Sequence, residues 1–395
     1  MIRYVATAVL IAISLTGQAW TQTEEKFRLA PGRELTYTGA ATGSLEVTGM
    51  SQPFQINADL ELRNLTTVTF GNNADVISFR LLKPAKTQQA QIEPPAEAQL
   101  VRLKAIGNMR LQTTDDVMTP GLMVNLFEPL LPIFKIGREN MQASLEWIVN
   151  EPPAIPIPSM GQSDVPINIS HKVIGNDVVG ITKCWKIERS PAGQLPLTQN
   201  VKLKANNQEA GTLELTLNTL VEHLWTDKNT GIVIKYNRSL ALSVSPEGEK
   251  DEEMTLTVDL TLSLKQNVLL NPEQLSDRQK QIHALQNIQS AFKPNVIVSA
   301  DDPLKLVNDA EENLKTFMNE HSDSVYGPVA TNLSGNIAGL KGFLSQINSR
   351  EQSNDTDGFI NEPAPPFNLP NLSGKKVALS DLKGKIVLIN FFFYG

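Results

Sequence analysis

The sequence predicts an α+β protein. A long-stranded antiparallel β region, either a curved sheet or an open barrel, comes first; a helical segment follows; the beginning of a separate α/β unit comes last. Three observations predict this order. Apolar and polar residues alternate over long runs from Phe27 to Gln266. Beyond Gln266 the apolar period becomes helical. Near the end, Ile386 to Phe393 in "KIVLINFFFYG" form a continuous apolar run of the kind found in a central parallel strand.

The strands are clearest in the second part of the β region. In "MTLTVDLTLSLK", Met254, Leu256, Val258, Leu260, Leu262 and Leu264 point one way, and Thr255, Thr257, Asp259, Thr261 and Ser263 the other. Period-two alternation means one dry face and one wet face. "TLELTLNTLVEHLW" repeats the pattern with Leu213, Leu215, Leu217 and Val221, and "GIVIKYNRSLALSV" with Ile232, Ile234, Tyr236, Leu240 and Leu242. "DKNTG" (Asp227 to Gly231) reads as a turn that places glycine where positive φ is wanted. Three antiparallel strands in meander order follow. In the first part, "FQINADLELRNL" alternates Phe54, Ile56, Ala58, Leu60 and Leu62, and "DVISFRLLK" and "AQLVRLKAIG" continue it. Strands this long favour a large curved sheet over a compact sandwich. "MTPGLMVNLFEPLLPIF" (Met118 to Phe134) is apolar and proline-punctuated, and reads as a short helix or plug over the dry face. "NEPPAIPIPSMGQSDVP" (Asn150 to Pro166) reads as a crossing between two halves, 27–150 and 166–266, of the β domain 27–266.

The helical segment, 270–348, holds three helices. Asn271 is a candidate N-cap with Pro272 at the first helical position and Gln274 three beyond the cap; Leu275, Ile282, Leu285, Ile288 and Phe292 mark its apolar face. The second opens on Asp302-Pro303, with Val307, Ala310, Leu314 and Phe317 as its stripe. The third runs from about Val325 to Ile347, and its Gly335, Gly339 and Gly342 suggest close packing on a neighbour. The polar, proline-ended stretch 349–362 reads as a linker.

Compartment is suggested by "MIRYVATAVLIAISLTGQA" (1–19). Arg3, an apolar core and the small residues Gly17 and Ala19 match a secretory signal peptide; an uncleaved anchor is the alternative. The mature protein is therefore expected outside the cytoplasm, periplasmic or secreted, with no membrane span after cleavage. Net charge is -7 with no basic excess, which argues against nucleic acid as a partner. Hydrophobic residues make up 41%, enough for a sizeable core. The one cysteine, Cys184, lies in the alternating stretch "GITKCWKI" and reads as a small buried hydrophobe. Asn64, Asn168, Asn237, Asn332, Asn354 and Asn371 begin N-x-S/T triplets, which matter only in a glycosylating host.

The end of the chain then becomes informative. "PAPPFNLPNLSGKKVALSDLKGKIVLINFFFYG" (363–395) resembles the N-terminal edge of the redoxins, the TlpA-like thiol–disulfide oxidoreductases and the AhpC/TSA peroxiredoxins. "PAPPFNLPNLSGKKVAL" resembles their opening hairpin, "LSDLKGK" the turn after it, and "IVLINFFFYG" the strand that leads to the active-site loop. The resemblance implies an incomplete thioredoxin-like domain, a parent active on protein thiols and disulfides, and a chain that stops before the catalytic cysteine. Thiol–disulfide exchange needs a thiolate poised at a helix N-terminus, and this sequence supplies neither the Cys-x-x-Cys nor the helix. The chain itself is thus expected to be inactive in redox chemistry.

No catalytic, cofactor-binding or metal-ligating residue is nominated, and no cofactor is expected. His171, His223, His283 and His321 lack ligand spacing and read as surface residues. "GNNAD" and "DTDG" lack the spaced oxygens of a calcium loop and read as turns. A second class of function stays open beside the redoxin one: an envelope binding or structural module whose curved sheet holds an apolar ligand or a partner protein on its dry face.

Overall fold

The structure, a computed structural model, describes residues 30–49, 52–70, 73–84, 96–106, 110–118, 141–151, 167–205, 208–248, 253–291, 296–297, 300, 302–352, 368–370 and 376–382. Twelve strands form one antiparallel sheet. They are β1 (Arg33–Val47), β2 (Phe54–Phe70), β3 (Asn73–Pro84), β4 (Glu97–Ile106), β5 (Arg110–Met118), β6 (Glu146–Glu151), β7 (Ile167–Val179), β8 (Thr182–Pro191), β9 (Leu197–Ala205), β10 (Gln208–Asp227), β11 (Val233–Pro246) and β12 (Met254–Leu269). The spatial order is β5-β4-β3-β2-β1-β12-β11-β10-β8-β7-β6. β9 continues the line of β8 along β10: Leu213 faces Val201, while Leu224 faces Ile187. Among the described residues no pairing joins β5 to β6, so the sheet is open.

The expected meander is present. β10, β11 and β12 are consecutive neighbours, and Asp227 to Gly231 make the first turn, with Gly231 at φ 71. The long pairing of β1 with β12, from Arg33↔Leu269 to Val47↔Met254, joins the first and last strands into the middle of the sheet. In the middle of this seam three successive inner-face positions of β1 are small, Gly39, Ala41 and Gly43. A Cβ on Gly39 would lie 1.7 Å from the carbonyl oxygen of Thr261, and one on Gly43 1.9 Å from that of Thr257. The two backbones approach so closely that only glycine fits.

The sheet has two differently used faces. One, the inner face, carries a continuous apolar cluster that includes Ile56, Leu60 and Leu62 of β2, Leu217 and Leu224 of β10, Tyr236 and Leu240 of β11, and Leu256 to Leu262 of β12. On the other face the described helices pack over β2 to β4. There Leu65, Ile77, Phe79, Leu81, Ala98 and Leu100 pack against α1 (Pro272–Ser290), α2 (Pro303–Glu320) and α3 (Gly327–Gln352). Strand β3 is therefore dry on both sides, and Phe79 meets Tyr326 edge to face at 5.9 Å. Arg63 and Arg278 flank the buried Glu34 carboxylate at 3.7 and 3.9 Å, one from the sheet and one from α1.

The helix starts follow their sequence signals. Asn271 and Gln274 form a reciprocal capping box, and the Asp302 side chain accepts from the Lys305 backbone N–H. Two details differ from expectation. A bulge at Asn218 shifts the phase of β10, so Leu220, Glu222 and Leu224 turn inward and Val221 turns away. The glycines of α3 are not packing contacts: a Cβ on Gly335, Gly339 or Gly342 would meet nothing within 4 Å.

At the end of the described chain, Asn368–Pro370 pairs with Lys376–Ala378, and a 3-10 turn covers Leu379–Leu382. No thioredoxin-like domain is formed by these residues. The apolar run from Ile386, the segment following Met118 to Phe134, the crossing 152–166 and residues 1–19 lie outside the described residues.

Candidate functional site

The inner face is apolar but not uniformly so. Two groups of polar side chains occupy positions where the alternation calls for hydrophobic residues, and both are buried.

The first group is a single row across five strands. Trp147 of β6 faces His171 of β7, His171 faces Arg189 of β8, Arg189 faces Glu222 of β10, and Glu222 faces Arg238 of β11. Each is directly opposite the next, so cross-strand geometry alone brings them together. The Trp147 and His171 rings stack at 5.0 Å with 16° between planes. Arg189 donates from Nε to His171 Nε2 at 2.9 Å and from Nη1 to Glu222 Oε2 at 2.6 Å. The Tyr236 hydroxyl donates to Glu222 Oε1, and Arg238 Nε lies 3.8 Å from the same oxygen. Burial, with the Arg189 guanidinium second, pushes His171 down to about 3, so the imidazole stays neutral and its Nε2 can accept. Burial, with the Glu222 carboxylate second, pushes Tyr236 well up, which keeps the phenol a donor. Arg189 and Tyr236 thus engage the two Glu222 oxygens, and Arg189 engages the His171 ring.

The second group lies on the other half of the same face. Asn64 of β2 is directly opposite Ser78 of β3, and Arg80 of β3 is opposite Gln99 of β4. Thr66 follows Asn64 on the same face. All five are buried. Their neighbours on the face, Leu35, Leu62, Val76 and Val101, belong to the apolar cluster. The first row, followed through Leu260 and Ala41, reaches β2 at Ala58. Asn64 is six residues farther along that strand, about 20 Å. The wall between the groups is apolar.

The histidines that sequence patterning leaves on the surface divide. His171 is buried in the row, whereas His223 is on the opposite face, 3.4 Å from Glu188, His283 is exposed on α1, and His321 caps α2. Among the described residues no three His, Cys, Asp or Glu side chains form a metal-binding group. Cys184 is buried on the face away from the row, and burial pushes its thiol up. No described helix is long and apolar enough to cross a membrane.

No protein-family model and no curated protein matches this chain. Among solved structures it is similar to lipovitellin, in a structure of its lipid–protein interactions, with TM-score 0.31 and 10% identity over 75% of this chain; the match spans 35% of the lipovitellin chain. It is similar to an exported protein with a YmcC-like fold from Bacteroides fragilis (TM-score 0.21, 10% identity, 61% of this chain and 98% of that one). A DUF1329 family protein from Desulfovibrio piger gives TM-score 0.16 and 9% identity over 60% of this chain and 87% of that one. No redoxin is among these matches, and no redoxin family model recognises residues 363–395. The resemblance to the TlpA-like and AhpC/TSA families is therefore withdrawn, and with it the oxidoreductase activity and the thiol partners. Its physical weakness is plain: hairpin, turn and apolar strand are local patterns that many folds share.

Proposed function

We propose that this protein is a binding module that holds a lipophilic molecule against the inner face of its sheet. One observation carries the reading. The inner face is a single apolar wall crossing strands from both ends of the sheet order, while the described helices pack only on the opposite face. A sheet that needed only a core would find it on one covered face. Here a second dry surface extends across the sheet, whose ends β5 and β6 do not pair among the described residues. Ligand sites are typically apolar surfaces with a few convergent polar groups, and the two buried polar groups supply those. The signal-like pattern of residues 1–19 supports a location outside the cytoplasm, where a carrier or tether of lipophilic molecules has work to do.

The test is titration of the full chain with an environment-sensitive apolar dye, followed by competition with long-chain lipids. Saturable dye fluorescence that lipids displace supports the reading. Fluorescence that rises without saturation, or that lipids leave unchanged, overturns it.

A further inference from the structure

The two polar groups on the inner wall differ in one respect. In the row from Trp147 to Arg238, Arg189 bonds both His171 and Glu222, and Tyr236 donates to the other Glu222 oxygen. At the other group, Asn64 is fully buried, and neither its Nδ2 nor its Oδ1 has a hydrogen-bond partner. The Oγ of Ser78, directly across the strand pair, has none, and neither has the Oγ1 of Thr66. These are four orphaned polar atoms within one strand pair, β2 and β3. Leaving a buried polar group unsatisfied is costly, because its hydrogen bonds to water are lost and nothing replaces them. Native folds rarely tolerate such a cluster without a ligand or ordered water to complete it.

The chemistry of the orphans specifies the ligand. A side-chain amide offers two donors at nitrogen and an acceptor at oxygen, and a hydroxyl offers both roles. Because both ends of Asn64 are unpartnered, a complementary group must accept and donate. A carboxylate only accepts, and would leave the Asn64 Oδ1 unsatisfied. A plain hydrocarbon or methyl ester has no donor. A hydroxyl beside an ester carbonyl supplies both. The flanking Leu35, Leu62, Val76 and Val101 suit the attached chain.

We propose that Asn64, with Ser78 and Thr66, binds the hydroxyl-and-ester headgroup of a neutral acylglycerol whose acyl chain lies along the apolar wall. The proposal rests on the lipophilic-ligand reading and adds its headgroup class. Arg80, next along β3, and Gln99 opposite it border this site, so an anionic headgroup is the competing outcome.

The experiment displaces bound apolar dye from the full chain with 1-monooleoylglycerol, methyl oleate and oleate. Monooleoylglycerol should displace dye at about tenfold lower concentration than either, the equivalent of one well-made hydrogen bond. Asn64→Leu should abolish most of that advantage, leave dye affinity within about twofold, and raise the ligand-free Tm, because an unsatisfied amide is replaced by an isosteric apolar group. Ser78→Ala, a smaller change, gives the same readout if Asn64→Leu does not fold. Oleate as good as monooleoylglycerol, an advantage that survives both substitutions, or a Tm that falls because interior water satisfies the amide would each overturn the proposal while leaving the apolar wall intact. Failure of the dye to bind at all would remove the wall reading as well.

Discussion

Glu222→Leu is the sharpest perturbation of the buried row. The Glu222 side chain is only 5% exposed, bonded to Arg189 at 2.6 Å and to the Tyr236 hydroxyl, with Arg238 3.8 Å away. Leucine has nearly the same volume, so the substitution opens little cavity and isolates the charge effect. Removing one partner from a buried ion pair costs about 3–5 kcal/mol, because the remaining charge is left desolvated. The Tyr236 hydroxyl loses its acceptor too, worth about another 1–3 kcal/mol. Against a total stability of about 5–15 kcal/mol, this is a large fraction. The assay is urea unfolding followed by tryptophan fluorescence; Trp147 stacks on His171 inside the row and reports it directly. The decisive comparison is Arg189→Met/Glu222→Leu/Arg238→Met, which removes all three charges. A buried ionic group replaced wholesale by apolar residues is often neutral or stabilising, so the triple variant should recover most of the loss. A single variant within about 1 kcal/mol of wild type would refute the reasoning, since it lies below any stranded-charge cost. So would a triple variant as unstable as the single.

Other predictions follow from the same geometry. His171 titrates at about 3 when folded and near 6.5 when unfolded, so the unfolded chain takes up a proton that the folded one refuses. Stability is full above pH 6.5 and is lost as pH falls through the window from 6.5 to 3, by about 2 kcal/mol at pH 5. The difference between wild type and His171→Gln, measured at pH 7.5 and pH 5, should shrink accordingly; a difference independent of pH would count against it. Gly39→Ala should lower stability by about 1–3 kcal/mol, because its Cβ meets the Thr261 carbonyl. Gly335→Ala, in open space on α3, should raise it by about 0.5–1 kcal/mol, and thermal melts of the two must move in opposite directions. Asn271→Ala should cost about 1 kcal/mol by opening the capping box, with a smaller loss for Asn271→Gly.

Much of the fold is legible in the sequence because it is encoded locally. Alternation sets the strands, Asp227 to Gly231 set the turn, and Asn271 and Asp302 set the helix starts. The pairing of β1 with β12 is not local: the strands are separated by more than two hundred residues, and no short-range pattern specifies it. The bulge at Asn218 is equally silent, yet it decides that Glu222 rather than Val221 points inward.

The candidate site left a trace that pattern reading passes over. Alternation in β2 runs through Leu60 and Leu62 and next reaches Asn64; in β11 it passes from Tyr236 to Leu240 across Arg238. A charged or amide residue in the dry phase of an alternating strand is the signal. Its meaning depends on what stands opposite, which only the register supplies. The redoxin resemblance failed for the complementary reason. It was carried by contiguous local patterns that many folds share.

The central claim is that the inner wall takes up a lipid. Native mass spectrometry of the folded chain, equilibrated with a long-chain acylglycerol, tests it most directly. A folded species should carry discrete lipid mass that is lost when the protein is unfolded. A folded chain that stays at its bare mass at every lipid concentration would contradict it.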